Sequence, residues 1–197
     1  MMNTDSIDIA RILASTRHCR LSREQLHCLA DVLECKKYKK GERILDENEV
    51  CTCLRYIEKG MTRQFYFKYN KDLTEHIAYE GGIVICLESY LKSEPSRLMI
   101  ETLENSVIWE IPKTAVEKLS LADAEIGVWY RRVFEESLIE SQIKADTLRF
   151  EPAHERYVKL MQLHPEILKR APLVYIASLL QMSPETLSRV RSASLND

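Results

Sequence analysis

Apolar and polar positions change their period twice along the chain. In LSREQLHCLADVLECKKYKKGE, residues 21–42, Leu26, Leu29 and Leu33 recur at helical intervals. Ser22 and Gln25 stand at capping-box spacing, where each side chain reaches the other's backbone amide. Lys36, Lys37, Lys39 and Lys40 follow, and Gly41 punctuates. The first forty residues therefore read as helical.

From Gly41 to Pro112 the texture is different. Short runs rich in Val, Ile, Tyr, Phe and Thr alternate with turn residues, at Asp46–Glu49, Glu58–Gly60, Asn70–Asp72, Gly81-Gly82, Ser93–Ser96 and Glu104-Asn105. Short strands at near-regular spacing predict an antiparallel sandwich or barrel. TRQFYFKYNKDLTEHIAYE reads as a hairpin, with Arg63, Phe65, Phe67 and Tyr69 on one face and Thr62, Gln64, Tyr66 and Lys68 on the other.

After Pro112 the strand pattern does not return. Lys113–Leu119 is a short helix, and residues 122–148 contain no proline and only Gly127. Ile126, Trp129, Val133 and, less regularly, Leu138, Ile143 and Leu148 form an apolar stripe. At 1.5 Å per residue this helix runs about 40 Å, more than a small barrel needs as a lid. A homodimer seam through Ile126, Trp129, Val133 and Leu138 is the expectation, against a helix lying wholly across its own barrel. Pro152 interrupts, AHERYVKLMQLH is a second amphipathic helix, and Pro165 and Pro172 bracket a short EILKRA.

Composition narrows the function classes. The chain has 197 residues, 45% hydrophobic and 29% charged, so a buried core is expected. Net charge is −2 and pI about 6.2, so any positive surface for nucleic acid must be local. No N-terminal signal pattern and no membrane-length apolar run is present, which points to the cytoplasm and away from a membrane. The six cysteines lie at 19, 28, 35, 51, 53 and 86. Cys51 and Cys53 form C-x-C rather than C-x-x-C; on one strand face they suit a metal or redox role, or else are reduced thiols used as small hydrophobes.

The strongest signal is LVYIASLLQMSPETLSRVRSASLND at the end. VYIASLLQ is a short helix with the small Ala177 where another helix can cross, and MS is a turn. Ser183 at N-cap, Pro184 at N1 and Glu185 in the first turn then start a second helix. Two short helices on a tight turn make a helix-turn-helix. At 100° per residue, Leu187 and Val190 fall inward, and Glu185, Ser188, Arg189 and Ser192 fall on the opposite face. Arginine pairs bidentately with guanine and a carboxylate accepts from cytosine, so this face suits a major groove. The hydroxyls of Ser183 and Thr186 suit phosphates. The plain alternative is a solvated terminal helix.

A β domain, a long helix and a helix-turn-helix in this order resemble the Crp/Fnr family of bacterial transcription regulators. KKGERILDENEVCTCLRYIEKGMTRQF is similar to that family's first barrel strands, with Gly41 and Gly60 as turn glycines. IASLLQMSPETLSRVR is similar to its recognition motif, close to S-R-E-T-V-S-R, and Ser183, Glu185, Thr186, Ser188 and Arg189 match in place. The resemblance implies an α+β chain. A double-stranded β-helix (jelly-roll) sensor domain of cyclic-nucleotide-binding type with N-terminal helices takes 1–121. A dimerisation helix takes 122–149, and a helix-turn-helix domain 150–197. It further implies a homodimer on a two-fold symmetric double-stranded DNA site, with RNA polymerase as a further partner.

The departures are specific. Pro184 stands where the family often has arginine, and Gln181 replaces the usual turn glycine, at about 1 kcal/mol if left-handed. From 149 on, Arg149, Arg156, Lys159, Lys169, Arg170, Arg189 and Arg191 only slightly outnumber Glu151, Glu155, Glu166, Glu185 and Asp197. DNA affinity is expected to be moderate and salt-dependent.

Gly81–Leu98, GGIVICLESYLKSEPSRL, is either an anion cradle or a tight corner. In ligand-binding members this segment carries F-G-E-L and then R-S/T-A, where Glu holds the ribose and Arg the cyclic phosphate. Aligned without gaps, the glycine becomes Ile85, the glutamate Cys86, and the Arg and Ser places become Ser96 and Arg97. Cys86 accepts no strong hydrogen bonds from a diol, and Arg97 faces away from residue 96 unless a bulge turns it inward. Cyclic AMP is therefore not the expected effector. For an unidentified one, Arg63, Tyr66, His76, Cys86, Glu88, Ser96, Arg97, Ser141 and Gln142 are the candidate lining, unless side chains fill the barrel.

A DNA-binding dimeric regulator is the first expectation, and a ligand-sensing module with weak or lost DNA binding the alternative. Enzymes of cupin type need converging His and carboxylate ligands, and the barrel segment offers only His76. No catalytic residue, metal or cofactor is assigned.

Overall fold

A computed structural model describes residues 5–194. Helices α1 (Ser6–Thr16) and α2 (Arg23–Ala30) open it. The capping box at α2 is complete: Gln25 N donates to Ser22 Oγ at 3.2 Å, and Ser22 N to Gln25 Oε1 at 2.8 Å. Helix does not continue to residue 40. Glu34–Tyr38 is strand β1, at the edge of a sheet, where dense lysine blocks pairing with another chain. Lys36 and Lys37, within the stretch expected to be helical, here guard a strand edge.

The strands that follow are β2 (Arg43–Leu45), β3 (Cys53–Lys59), β4 (Met61–Lys68), β5 (Lys71–Tyr79), β6 (Ile83–Val84), β7 (Met99–Thr102) and β8 (Ser106–Pro112). They form two antiparallel four-stranded sheets, ordered β1-β8-β3-β6 and β2-β7-β4-β5. The β4–β5 hairpin turns on Tyr69 (φ 51°) and Asn70 (φ 58°), both left-handed as a primed turn requires. Gly60 joins β3 to β4 at φ 106°, and a Cβ there would collide with Ser106. A short helix, α3 (Leu87–Lys92), lies inside the segment 81–98.

Beyond β8 the chain is helical: α4 (Lys113–Ala122), α5 (Ala124–Phe150), α6 (Ala153–Leu163), α7 (Pro165–Arg170), α8 (Leu173–Leu179) and α9 (Pro184–Ser194). Asp123 caps α5, accepting from the amides of Glu125 and Ile126, and also binds Gln25 of α2. No described helix is long and apolar enough to cross a membrane.

Two cores result. One joins Ile9, Leu13 and Leu29 of the first helices to Leu54 and Tyr56 of β3 and to the start of α5. The other joins Met61 and Ile77 of the β4–β5 sheet to Tyr157, Leu160, Ile176 and Leu187. The helical stripe expected to pair with a second copy is thus divided. Ile126, Trp129 and Val133 are buried in their own chain, and Trp129 Nε1 donates to Leu13 O at 2.9 Å. Those three are core residues, not seam residues. Leu138 stays 65% exposed, and Ile139, Ile143 and Phe150, one or more full turns apart on one face, are exposed beside it.

Candidate functional site

The chemistry of the last two helices starts at their turn. α8 ends with Gln181 N donating to Ser178 O at 3.0 Å and Met182 N to Ala177 O at 2.9 Å, with Gln181 left-handed at φ 50°. These are the two bonds of a Schellman motif, closed by glutamine where glycine would be unstrained. Ser183 then caps α9, accepting from Thr186 N at 3.2 Å. Leu187 is buried and Val190 packs beside it, so the inward face follows the sequence pattern. Ser183, Glu185, Ser188, Arg189 and Ser192 are exposed on the other side, with Thr186 half-buried. Arg189 Nη2 donates to Thr186 Oγ1 at 3.3 Å, which lays the guanidinium along this outer face. Glu185 is held below the usual carboxylate range by Ser183 and by the charge of Arg189.

The segment 81–98 is a corner followed by a packed cassette. Gly81 (φ 87°) and Gly82 turn the chain, each amide donating to a neighbouring carbonyl. A 160 Å³ cavity borders this corner, but Glu136 and Glu140 line it beside Arg17, and Arg17 pairs with Glu136 at 3.3 Å. Such walls do not favour an anion. Farther on, Gln64 Nε2 donates to Ile85 O at 2.8 Å and reaches Cys86 Sγ at 3.5 Å. Ser96 is buried and donates to Leu98 O at 2.8 Å, and Ser89 takes the amide of Cys51 at 2.9 Å. Arg55 Nη1 lies 3.6 Å from Cys51 Sγ, and Arg55 Nε donates to Glu110 at 2.9 Å. Polar contacts therefore run from Glu110 through Arg55 to Cys51 on the β8–β3 side, and from Gln64 of β4 to Cys86.

The proposed effector residues do not converge on one cavity. Arg63 points away from Gln64, onto the outer face of β4, where Asp72 and Glu101 bind it at 2.6 Å. His76 pairs across the ladder with Gln64 and so keeps to the barrel side. Burial and the charges of Lys144 and His164 push its imidazole down to about 4. Glu88 faces solvent and pairs with Lys92 at 2.7 Å. Arg97 is exposed, with no bulge turning it inward, and Ser141 and Gln142 are exposed on α5. Tyr66 borders a second cavity of 360 Å³, between the β4–β5 hairpin and the turn before α9. Only Cys86, Ser96 and His76 keep to the barrel side. Cys51 precedes β3 and Cys53 opens it, and Arg55 Nη1 reaches both, at 3.6 Å from Cys51 Sγ and 3.4 Å from Cys53 O.

Sequence reasoning missed Arg55, Gln64 and Glu110. Their signal was available as charged or amide residues inside otherwise apolar strands. It also missed the contact that ties the last helices to the barrel. The Arg63 guanidinium stacks between Phe65 (3.9 Å to the ring centroid) and Tyr175 of α8 (3.6 Å). Thr74 N donates to Ser178 Oγ at 2.8 Å, Arg170 clamps Glu80 and Glu104, and Lys144 pairs with Glu75. Among the described residues no group of three or more His, Cys, Asp or Glu is placed to hold a metal ion.

Residues 35–123 match the family model of the cyclic nucleotide-binding domain. The chain is similar in structure to FixK2 from Bradyrhizobium japonicum, with a TM-score of 0.68 and 20% identity over 82% of this chain and 84% of that one. It is similar to the catabolite activator protein of Thermus thermophilus, with a TM-score of 0.55 and 18% identity over 89% and 84%. A proposed regulator of the Crp/Fnr family from Eubacterium rectale gives a TM-score of 0.66 and 17% identity over 89% and 85%. No curated protein matches the sequence. By class, the β domain is of the cyclic nucleotide-binding type in sequence pattern and fold. In fold the chain is similar to solved structures that include a regulator of the Crp/Fnr family.

Proposed function

We propose that the protein is a sequence-specific DNA-binding transcription regulator that acts as a homodimer and does not respond to cyclic nucleotides. The carrying observation is α9, which buries Leu187 and leaves Glu185, Ser188 and Arg189 exposed behind a capped N-terminus. Donors and acceptors so arranged suit base edges, and the hydroxyls of Ser183 and Thr186 suit phosphates. Structural neighbours named as a catabolite activator and as a transcriptional regulator support the same role. The exposed stripe of Leu138, Ile139, Ile143 and Phe150 is the seam for a second copy, which doubles a modest single-helix contact into a two-fold symmetric one. RNA polymerase is the further partner that such a role brings.

The effector part rests on the cassette. Cys86 and Ser96 occupy the places of the ribose-binding acid and the phosphate-binding arginine, and both are committed to internal bonds. A nucleotide there would leave its diol and phosphate unpaired.

The test is to capture sheared genomic fragments with the purified full chain at low and high salt and to sequence them. A two-fold symmetric motif enriched at low salt and weakened at high salt is expected. Recovery with no enriched motif contradicts the proposal and leaves the ligand-sensing alternative.

A further inference from the structure

We infer that the cavity between the end of α1, the Gly81-Gly82 corner and α5 binds a dibasic amino acid, a short aliphatic chain with one carboxylate and two amines. The cavity measures 160 Å³, and Gly81 and Glu140 on its rim are exposed, so it opens to solvent. Arg17 and Val133, both buried, form its floor. The Arg17 side chain is 7% exposed, and its Nε–H has no hydrogen-bond acceptor. Glu136 lies 3.3 Å from that nitrogen but off the line of the N–H bond. A buried donor left open is costly, and a carboxylate in the cavity satisfies it. The arginine is held in place: Nη1 donates to Thr16 Oγ1 at 3.0 Å, and Arg132 Nη1 donates to the Arg17 and His18 carbonyls at 2.6 and 2.8 Å.

The charges of the walls select the ligand class. Arg17 is one cation against two carboxylates, Glu136 and Glu140. The glutamates stand one turn apart on α5, where like charges repel, and Glu140 forms no ion pair among the described residues. A metal ion satisfies the glutamates and not the open N–H; a simple carboxylic acid does the reverse. A dibasic amino acid complements all three groups. Its carboxylate accepts from Arg17, and its two ammonium groups donate to Glu136 and Glu140. Four residues of helix set those glutamates about 6 Å apart along the axis, a span that two amines on a short chain can bridge. Val133 and Ile83 supply apolar surface for the methylenes between.

A ligand so held bridges α1, the barrel corner and α5. Leu138 and Ile139, exposed on α5, lie between the two glutamates in sequence. Occupancy therefore braces the stretch of helix that carries the seam. That consequence rests on the function proposed above; the binding does not.

The full chain, treated with a chelator, is to be dialysed to equilibrium against radiolabelled L-lysine and, separately, L-ornithine. Retention of at least one with a Kd of about 1 mM or tighter is expected. Cadaverine, which lacks the carboxylate, and norleucine, which lacks the side-chain amine, should each compete about tenfold or more weakly than the unlabelled amino acid. Glu140→Gln, at an exposed position, should weaken retention about tenfold while circular dichroism stays that of wild type. No retention of either amino acid overturns the site. Cadaverine competing as well as lysine overturns the role of Arg17, and unchanged retention in Glu140→Gln overturns that of the glutamates. Affinity for the selected DNA is expected to differ about fivefold or more with and without the bound amino acid. Equal affinities overturn the coupling through α5. A chain that retains the amino acid but binds DNA in neither state overturns the function proposed above and leaves the site standing.

Discussion

The guanidinium of Arg63, on β4 of the barrel, lies 3.6 Å from the ring centroid of Tyr175, on the first helix of the terminal pair. Asp72 and Glu101 hold its edge, Phe65 covers its other face, and the residue is only 2% exposed. One side chain therefore joins the β barrel to the terminal helices by charge and by stacking. Arg63→Ala leaves Glu101 half-desolvated without its partner and is expected to cost about 3 kcal/mol of stability. Tyr175→Leu removes the stacking at about 1–2 kcal/mol, and Tyr175→Phe retains it. Urea midpoints read all three; a Tyr175→Leu midpoint equal to wild type would mean the stack carries no energy.

The two halves of α5 should respond oppositely to substitution. Trp129→Ala removes a fully buried ring and is expected to cost about 3–5 kcal/mol. Ile143→Glu changes an exposed position, so the fold should persist while the dimer proposed above dissociates. Sedimentation and circular dichroism measured together separate these effects. An Ile143→Glu protein that remains dimeric places the seam elsewhere.

His76 sets a pH limb. Its imidazole falls from an unfolded value of 6.5 to about 4 through burial first and the charges of Lys144 and His164 next, with Glu75 opposing. The native state thus binds its proton more weakly than the unfolded chain. The stability it contributes is complete above 6.5 and is lost as pH drops from there through 4. Urea midpoints across that window should decline, and less steeply in His76→Asn. An identical decline in the variant assigns the limb to other groups.

Cyclic AMP should not stabilise the protein. A ligand present at 100 times its Kd adds about 2.7 kcal/mol, a shift any thermal melt resolves. With Cys86 and Ser96 bonded internally and Arg97 in solvent, no shift is expected. A raised Tm that depends on Ser96 would restore the cassette to service.

What was legible in the sequence was local. The capping box of Ser22 and Gln25, the hairpin and the Ser183-Pro184-Glu185 start of α9 are each set by residues a few positions apart, and each stands as read. The left-handed Gln181 was legible for the same reason. β1 was not, because its lysines answer to a neighbouring strand, β8, seventy residues away. Nor was the partner of the α5 stripe. Periodicity shows that Trp129 must be covered, and only the fold shows that α1 covers it. The alternation in β4 correctly separated Arg63 from Gln64, but which face lay inside the barrel depended on distant contacts. That exchange of faces moved Arg63 from the presumed pocket to the domain junction.

Arg189 carries the central claim most directly. Fluorescence anisotropy of the selected two-fold site should be measured with wild type and Arg189→Ala, both checked for equal folding and dimerisation. A lost bidentate base contact should weaken binding by about 1–3 kcal/mol and relax the sequence at one position in each half-site. Unchanged affinity and unchanged sequence preference would contradict the assignment of α9 as the helix that reads DNA.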